Sequence, residues 1–177
     1  VPNVDIDIND RPKRAKVLVL FLSWNDSELE EILKFKTIDE YGRNNYRMPL
    51  KAIDYHKQRL KKIIIACSEE SRGNKEKFLK CVQNLFGKEI ADMANMRYIK
   101  NFEDAKSVYK FLESIYSQLK QEGFTEDDIV FDVTGGQKAI SIAGAMFAIP
   151  NDRHLQYVST SDYTVKHYDL TYMQNEE

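Results

Sequence analysis

A chain of 177 residues, 42% hydrophobic and 31% charged, can bury one sizeable core, which argues against global disorder and leaves little room for a second domain. Its 26 Lys and Arg are offset by 28 Asp and Glu, for a formal net charge of −2, so the balance gives no support for binding duplex nucleic acid, although a local positive site for a small anion stays open. Cys67 and Cys81 form no CxxC pair, which speaks against a disulfide framework or a zinc site and for a reducing cytoplasm.

Residues 1–16 read as a linker. Asp5, Asp7 and Asp10 alternate with Ile6, Ile8 and Asn9, and the basic cluster Arg11-Pro12-Lys13-Arg14-Ala15-Lys16 follows. That cluster has two readings: a solvated tether, or a junction to a further module such as a membrane helix, whose cytoplasmic ends basic residues flank. Val1 stands where a start methionine would be, so the chain is expected to be part of something longer. No secretory signal is visible, and the longest apolar stretch, Ala139 to Ile149, is far short of the roughly 20 residues a bilayer span needs.

Residues 17–177 read as one ligand-binding domain. Val17 to Leu22 is an unbroken apolar run, the pattern of a strand buried on both faces, and Ile63 to Cys67 repeats it, with Cys67 as a buried free thiol. Ile129 to Val133 repeats it again, Asp132 being the exception. Pro49 to Leu60 and Asn74 to Phe86 are predicted helices, and Gly87 stops the second. The spacing of Ala105, Val108, Leu112, Ile115 and Leu119 predicts a helix over Glu103 to Glu122, closed by Gly123 and preceded by a short strand near Arg97 to Lys100. Lys138 to Ile149 is apolar on nearly every side, so that helix is expected to pack on both sheet and partner; Pro150 ends it. His154 to Thr160 and Thr164 to Tyr172 form a hairpin around Ser161-Asp162-Tyr163. The predicted class is α/β: a Rossmann-like, mostly parallel sheet flanked by helices, with a C-terminal antiparallel hairpin.

Ligands of open α/β sheets bind beyond the carboxyl ends of the strands, where strand order reverses. Three polar loops leave strands on that side: Ser23-Trp24-Asn25-Asp26, Ser68-Glu69-Glu70-Ser71-Arg72 and Thr134-Gly135-Gly136-Gln137-Lys138. Gly135 and Gly136 let backbone N–H groups come close to a ligand, and the following helix points its positive end at the same spot. Lys138, in the first helical turn, is a cation where that dipole disfavours one. Either Asp132 compensates it internally or a bound phosphate does. Ala139 after Lys138 cannot ligate magnesium, and the spacing is neither GxxxxGK[ST] nor GxGxxG, which argues against a triphosphate motor or a hydride-transfer enzyme. Trp24 reads equally as core or as a stacking platform. Asp39 to Met48, with Arg43, Tyr46 and Arg47, reads as an exposed connection or as a lid.

The stretch Asp132-Val133-Thr134-Gly135-Gly136-Gln137-Lys138-Ala139-Ile140-Ser141 resembles the D-x-TGG-x-K-x-[MI]-[ST] signature of CARF domains, the CRISPR-associated Rossmann folds. The likeness extends over Lys16 to Tyr172, although only the Thr134 loop is specific, and Gln137 stands where Thr is common. The resemblance implies a homodimer that binds a cyclic oligoadenylate, cyclic tetra-adenylate above all, across its two-fold axis. Gly135, Gly136 and Lys138 would then hold phosphates, Thr134 and Gln137 ribose or phosphate oxygens, and Ser23, Trp24 and Asn25 base and ribose. Ser68 and Glu69 complete the candidate set. No metal or cofactor is implied.

On this reading the domain senses a second messenger of type III CRISPR antiviral defence and does not cut it. Its output would lie in an N-terminal effector, so that a cytoplasmic domain is tethered to the inner membrane only through that segment. The alternative is a metal-independent ring nuclease, in which Lys138 and Ser23 stabilise the transition state. No general base is evident for it, because His56, His154 and His167 fall outside the three loops. A transcription regulator would need a basic recognition helix, and none follows the sheet. Ala143, Gly144 and Ala145 fit a close helix contact at a dimer interface or packing on the sheet.

Overall fold

The unbroken apolar runs become the middle of a sheet covered on both faces. The computed structural model describes residues 3–9 and 11–173, with side chains from 11 to 168. Its strands are β1 (Asn3–Asn9), β2 (Val17–Leu22), β3 (Lys62–Cys67), β4 (Ala94–Tyr98), β5 (Ile129–Asp132), β6 (His154–Val158) and β7 (Val165–Met173). Its helices are α1 (Leu29–Ile32), α2 (Arg47–His56), α3 (Lys75–Phe86), α4 (Lys88–Asp92), α5 (Ala105–Gln121) and α6 (Lys138–Ala148). The sheet order is β1-β7-β6-β5-β2-β3-β4. From β6 to β4 the neighbours are parallel, and β7 returns antiparallel beside β6 as the expected hairpin.

Every side chain of β2 is buried. Leu18, Leu20 and Leu22 join α2 and α3 in one core layer, while Val17, Val19 and Phe21 join α5 and α6 in the other. A strand with two apolar layers to fill has no polar position to alternate with, hence the unbroken run. On the α5/α6 side, Tyr116, Phe131 and Phe147 meet edge-on, with ring centroids 4.8 Å apart for Tyr116–Phe147 and 5.8 Å for Phe131–Phe147. Such pairs add about 0.5–1.5 kcal/mol each beyond the area they bury. Cys67 and Cys81 are free and buried, and burial pushes the Cys67 thiol up to about 11.

The segment expected to be a linker is more ordered than a tether. Asn3–Asn9 pairs antiparallel with β7, Asn3 opposite Met173 and Asn9 opposite His167. Its Val4, Ile6 and Ile8 alternate with Asp5 and Asp7, the period of two that strands use. Ala15 is buried, and its N–H donates to His56 Nδ1 at 2.9 Å. Val1, Pro2 and Asp10 lie outside the described residues.

Helix limits shift for identifiable reasons. Helix α2 starts at Arg47, because Pro49 is tolerated inside a first turn that lacks intrahelical N–H partners. Asp104 caps α5 by accepting from the Lys106 N–H at 3.1 Å, so that helix begins after Glu103. The edge strand β4 runs Ala94–Tyr98, earlier than expected, and its side chains are only partly covered. Ala143 and Gly144 face the sheet: a Cβ on Gly144 would lie 2.9 Å from Phe131 and Val133 side-chain atoms. Ile142 and Met146 point outward instead, 57% and 61% exposed. Among the described residues no helix is long and apolar enough to cross a membrane.

Candidate functional site

The parallel order reverses between β2 and β5, and the site forms beyond their carboxyl ends. At the end of β5, Asp132 Oδ1 accepts from the Thr134 N–H at 2.8 Å and bends the chain. Asp132 Oδ2 accepts from Gln156 Nε2, also at 2.8 Å. Burial pushes the Asp132 carboxyl up, and these hydrogen bonds act against that shift. Thr134 Oγ1 accepts from the Val158 N–H at 2.7 Å, which fastens the turn to β6.

The two glycines are required by space and by backbone conformation. A Cβ on Gly135 would stand 1.8 Å from the Phe21 carbonyl oxygen, so only glycine lets the turn lie against β2. Gly136 has φ +90°, and a Cβ there would also reach within 2.3 Å of Ile140 Cδ1. Its N–H, expected to be offered to a ligand, donates to Ser23 Oγ at 2.9 Å. That bond ties the turn to the Ser23 loop and leaves the serine hydroxyl proton to donate elsewhere.

Helix α6 then opens at Lys138 with no side-chain cap on its N-terminus. The Ile140 N–H is taken by the Gln137 carbonyl at 3.0 Å, and the positive dipole end of the helix lies at the exposed Gln137 and Lys138. Lys138 is exposed. Asp132, the internal candidate to compensate it, is engaged by Gln156 and Thr134, and Lys138 forms no ion pair among the described residues. Gln137, just before it, is exposed as well.

Trp24 is 52% exposed, so it is not core. Asn45 Nδ2 donates to its carbonyl at 3.1 Å. Asn25 behaves differently from the expectation. It is only 4% exposed; its Nδ2 donates to Asn44 Oδ1 at 2.7 Å, and its Oδ1 accepts from the Ser27 N–H at 2.9 Å. Asn25 holds the loop from behind, leaving Trp24 to face outward. Likewise Tyr46 is buried edge-on against Phe78, ring centroids 5.1 Å apart. Arg47 is paired with Asp39 at 3.1 Å and lies 3.5 Å from the Tyr163 ring. A lid made of both is therefore not present, and Arg43 alone of the three is exposed.

The Ser23, Ser68 and Gly136 loops converge on a cleft of about 690 Å³. Ser68 is buried, and its hydroxyl lies 3.2 Å from that of Ser71. Glu69 is exposed, accepts from the Tyr98 hydroxyl and stands 3.8 Å from Arg72. Lys100, Asn101, Phe102 and Glu103 also line it; the sequence pattern ends a strand at Lys100 and starts a helix at Glu103, with Asn101 and Phe102 between them. Their signal was the polar stretch between β4 and the Asp104 cap, a fourth loop at a carboxyl strand end. Thr134 lines a different hollow of about 500 Å³, together with Ser141, Tyr157 and Tyr168. Thus Ser23, Trp24, Ser68, Glu69, Gly136 and Gln137 share the cleft, Gly135 and Lys138 border it through the turn, and Thr134 and Asn25 support it. Among the described residues no group of three or more His, Cys, Asp or Glu could hold a metal ion.

The strand order, the switch-point cleft and the glycine turn can be set against solved structures. Can2 from Sulfobacillus thermosulfidooxidans, in complex with cyclic tetra-adenylate, superposes with a TM-score of 0.57 at 12% identity, covering 85% of this chain and 34% of that one. Enterococcus italicus Csm6, bound to cyclic hexa-2'-fluoro-hexa-dAMP, gives 0.53 at 13% identity, covering 82% and 34%. The fold is CARF-like. A Vibrio cholerae protein shares this CARF-like fold with a TM-score of 0.51 at 7% identity, covering 84% of this chain and 32% of its own. In sequence, an uncharacterized protein of Aquifex aeolicus (strain VF5) is 31% identical over 185 residues, covering 94% of this chain. The chain spans 59% of the length of that relative. The sequence matches no protein-family model.

Proposed function

We propose that this CARF-like domain binds a cyclic oligoadenylate, with phosphates on the Gly136–Lys138 turn and a nucleoside in the adjoining cleft. The observation that carries the reading is Lys138, without an ion pair among the described residues, on the uncapped N-terminus of α6, next to the Gly136–Gln137 turn that shares a cleft with the exposed Trp24. The cleft's own charges support the division of the ligand. Glu69, Glu70 and Glu103 line it against Lys100, and one carboxylate repels a phosphate about 4 Å away by about 4 kcal/mol at an effective dielectric constant of 20. A charge-assisted hydrogen bond returns only about 1.5–3 kcal/mol. Phosphates therefore belong at the rim of the cleft, on the helix end beyond Gln137, while the carboxylates suit ribose hydroxyls and a base amine. Trp24 supplies a stacking face, worth about 1–3 kcal/mol per base.

The bound forms of the Can2 and Csm6 structures support a cyclic oligoadenylate as the ligand class, with cyclic tetra-adenylate as the ring of first choice. A homodimer would close over the ring; the outward Ile142 and Met146 of α6 are the apolar surface such a contact would cover. The domain binds without cutting and passes the event to an effector attached through its N-terminal side, membrane-tethered in this reading, in type III CRISPR antiviral defence. Calorimetry with cyclic tetra-adenylate, with linear products followed for hours in the same samples, tests this. One ring per two chains and no products is the expected result. No binding overturns the reading, and products in excess of protein transfer it to a ring nuclease.

A further inference from the structure

A chain of buried polar groups runs from the glycine turn to the segment that leads into β2. The Ala15 N–H, which can only donate, gives its proton to His56 Nδ1 at 2.9 Å. The ring proton must then sit on Nε2, which donates to Gln156 Oε1 at 2.7 Å. That orients the Gln156 amide, whose Nε2 donates to Asp132 Oδ2 at 2.8 Å. The other carboxylate oxygen accepts from the Thr134 N–H at 2.8 Å, again a group that can only donate. His56, Gln156 and Asp132 are all buried.

Because both ends are backbone donors, the direction of every link is dictated by its neighbours. Turning the Gln156 amide over would set its Nε2 against the Nε2–H of His56. Moving the ring proton to Nδ1 would set it against the Ala15 N–H. A buried donor without an acceptor is costly, so no link reverses alone. Burial also pushes the His56 ring down to about 4, so it is neutral near pH 7 and the chain is complete there.

We propose that this direction-locked chain couples the Thr134 turn to Ala15, so that a change at the turn alters how firmly residue 15 is held against α2. Coupling of this kind exists with or without a ligand, and its test stands apart from that of the binding reading. It would let an event at the carboxyl rim be felt where the chain approaches β2 from its N-terminal side.

Nuclear magnetic resonance of the ¹⁵N-labelled protein carrying Asp132→Asn, Gln156→Met or both provides the test. Asn offers one donor and one acceptor where Asp132 offers two acceptors, so the mismatch must travel. The expected result for Asp132→Asn is a move of the His56 ring nitrogens away from the Nε2–H pattern. Ala15 amide exchange should rise about tenfold, while amides of α5, on the opposite face of the sheet, stay within about twofold. In the Gln156→Met background, Asp132→Asn should add less than about twofold at Ala15. The coupling is overturned if Ala15 and the His56 ring are unmoved, if all amides accelerate together, or if the effect survives in full without Gln156. Should Asp132→Asn not fold, His56→Phe is read at the other end: Thr134 amide exchange about tenfold faster is expected, and an unchanged rate overturns the proposal.

Discussion

Three lysines at the amino ends of the parallel strands, Lys13, Lys16 and Lys62, contrast with Lys100 and Lys138 at the carboxyl ends. At the amino ends Lys13 pairs with Asp127 at 2.8 Å, Lys16 with Asp128 at 3.6 Å and Lys62 with Glu122 at 2.6 Å. Asp127 also meets His154 Nε2 at 2.8 Å, and Lys13 and His154 together hold its carboxyl down at about 2. At the carboxyl ends Lys100 and Lys138 form no ion pair among the described residues, and Lys138 stands where the helix dipole opposes it. Arg72, 3.8 Å from Glu69, is the loosely paired cation of that rim. Matched charges on a surface contribute little beyond local order. An unmatched cation on a helix N-terminus costs stability, and what it offers in return is a place for an anion.

The comparison breaks most completely if the carboxyl rim is forced open. Gly135→Ala puts a methyl group onto the Phe21 carbonyl, and the expected loss is about 3 kcal/mol, a fall in Tm of roughly 6–12 °C by calorimetry. An unchanged Tm would mean the turn does not lie against β2.

His56 gives an effect of similar size, confined to acid. Its ring titrates near 6.5 in the unfolded chain and near 4 in the fold because it is buried. Between those values the unfolded state binds the extra proton, so stability falls as pH drops through the window, by up to about 3 kcal/mol. Asp132, pushed upward by burial, acts in the opposite sense. The histidine's share is therefore isolated as the difference between the unmodified protein and His56→Gln in urea unfolding at pH 7 and pH 4. Identical pH dependences in the two would refute it.

Trp24→Ala sharpens the comparison by separating binding from folding. With half its surface already exposed, its removal should leave stability within about 0.5 kcal/mol while weakening cyclic tetra-adenylate by about 1–3 kcal/mol. Loss of both together would return Trp24 to the core.

What the sequence made legible follows from how local each cause is. The unbroken runs of β2 and β3 and the stripe of α5 announce burial directly, and the adjacent Gly135 and Gly136 mark a turn that allows no side chain. Asn25 is ambiguous in the sequence because a polar residue after a strand looks the same whether it faces a ligand or packs against Asn44 and Ser27, as its amide does here. Tyr46 falls in a stretch that reads as an exposed connection or a lid, although Phe78, distant in sequence, covers it. Lys100 to Glu103 went unnoticed as cleft residues because β4, an edge strand with partly covered side chains, carries no apolar run to mark where it stops. In β1 the alternation was visible, but clustered charge outweighed it.

The most direct measurement sets one lysine from each rim side by side. Lys138→Ala and Lys13→Ala remove one exposed cation each, and both should change folding stability by no more than about 1 kcal/mol. The account predicts that titration with cyclic tetra-adenylate loses about 1.5–3 kcal/mol per site in Lys138→Ala and nothing measurable in Lys13→Ala. Equal affinities in the two variants and the unmodified protein would contradict it.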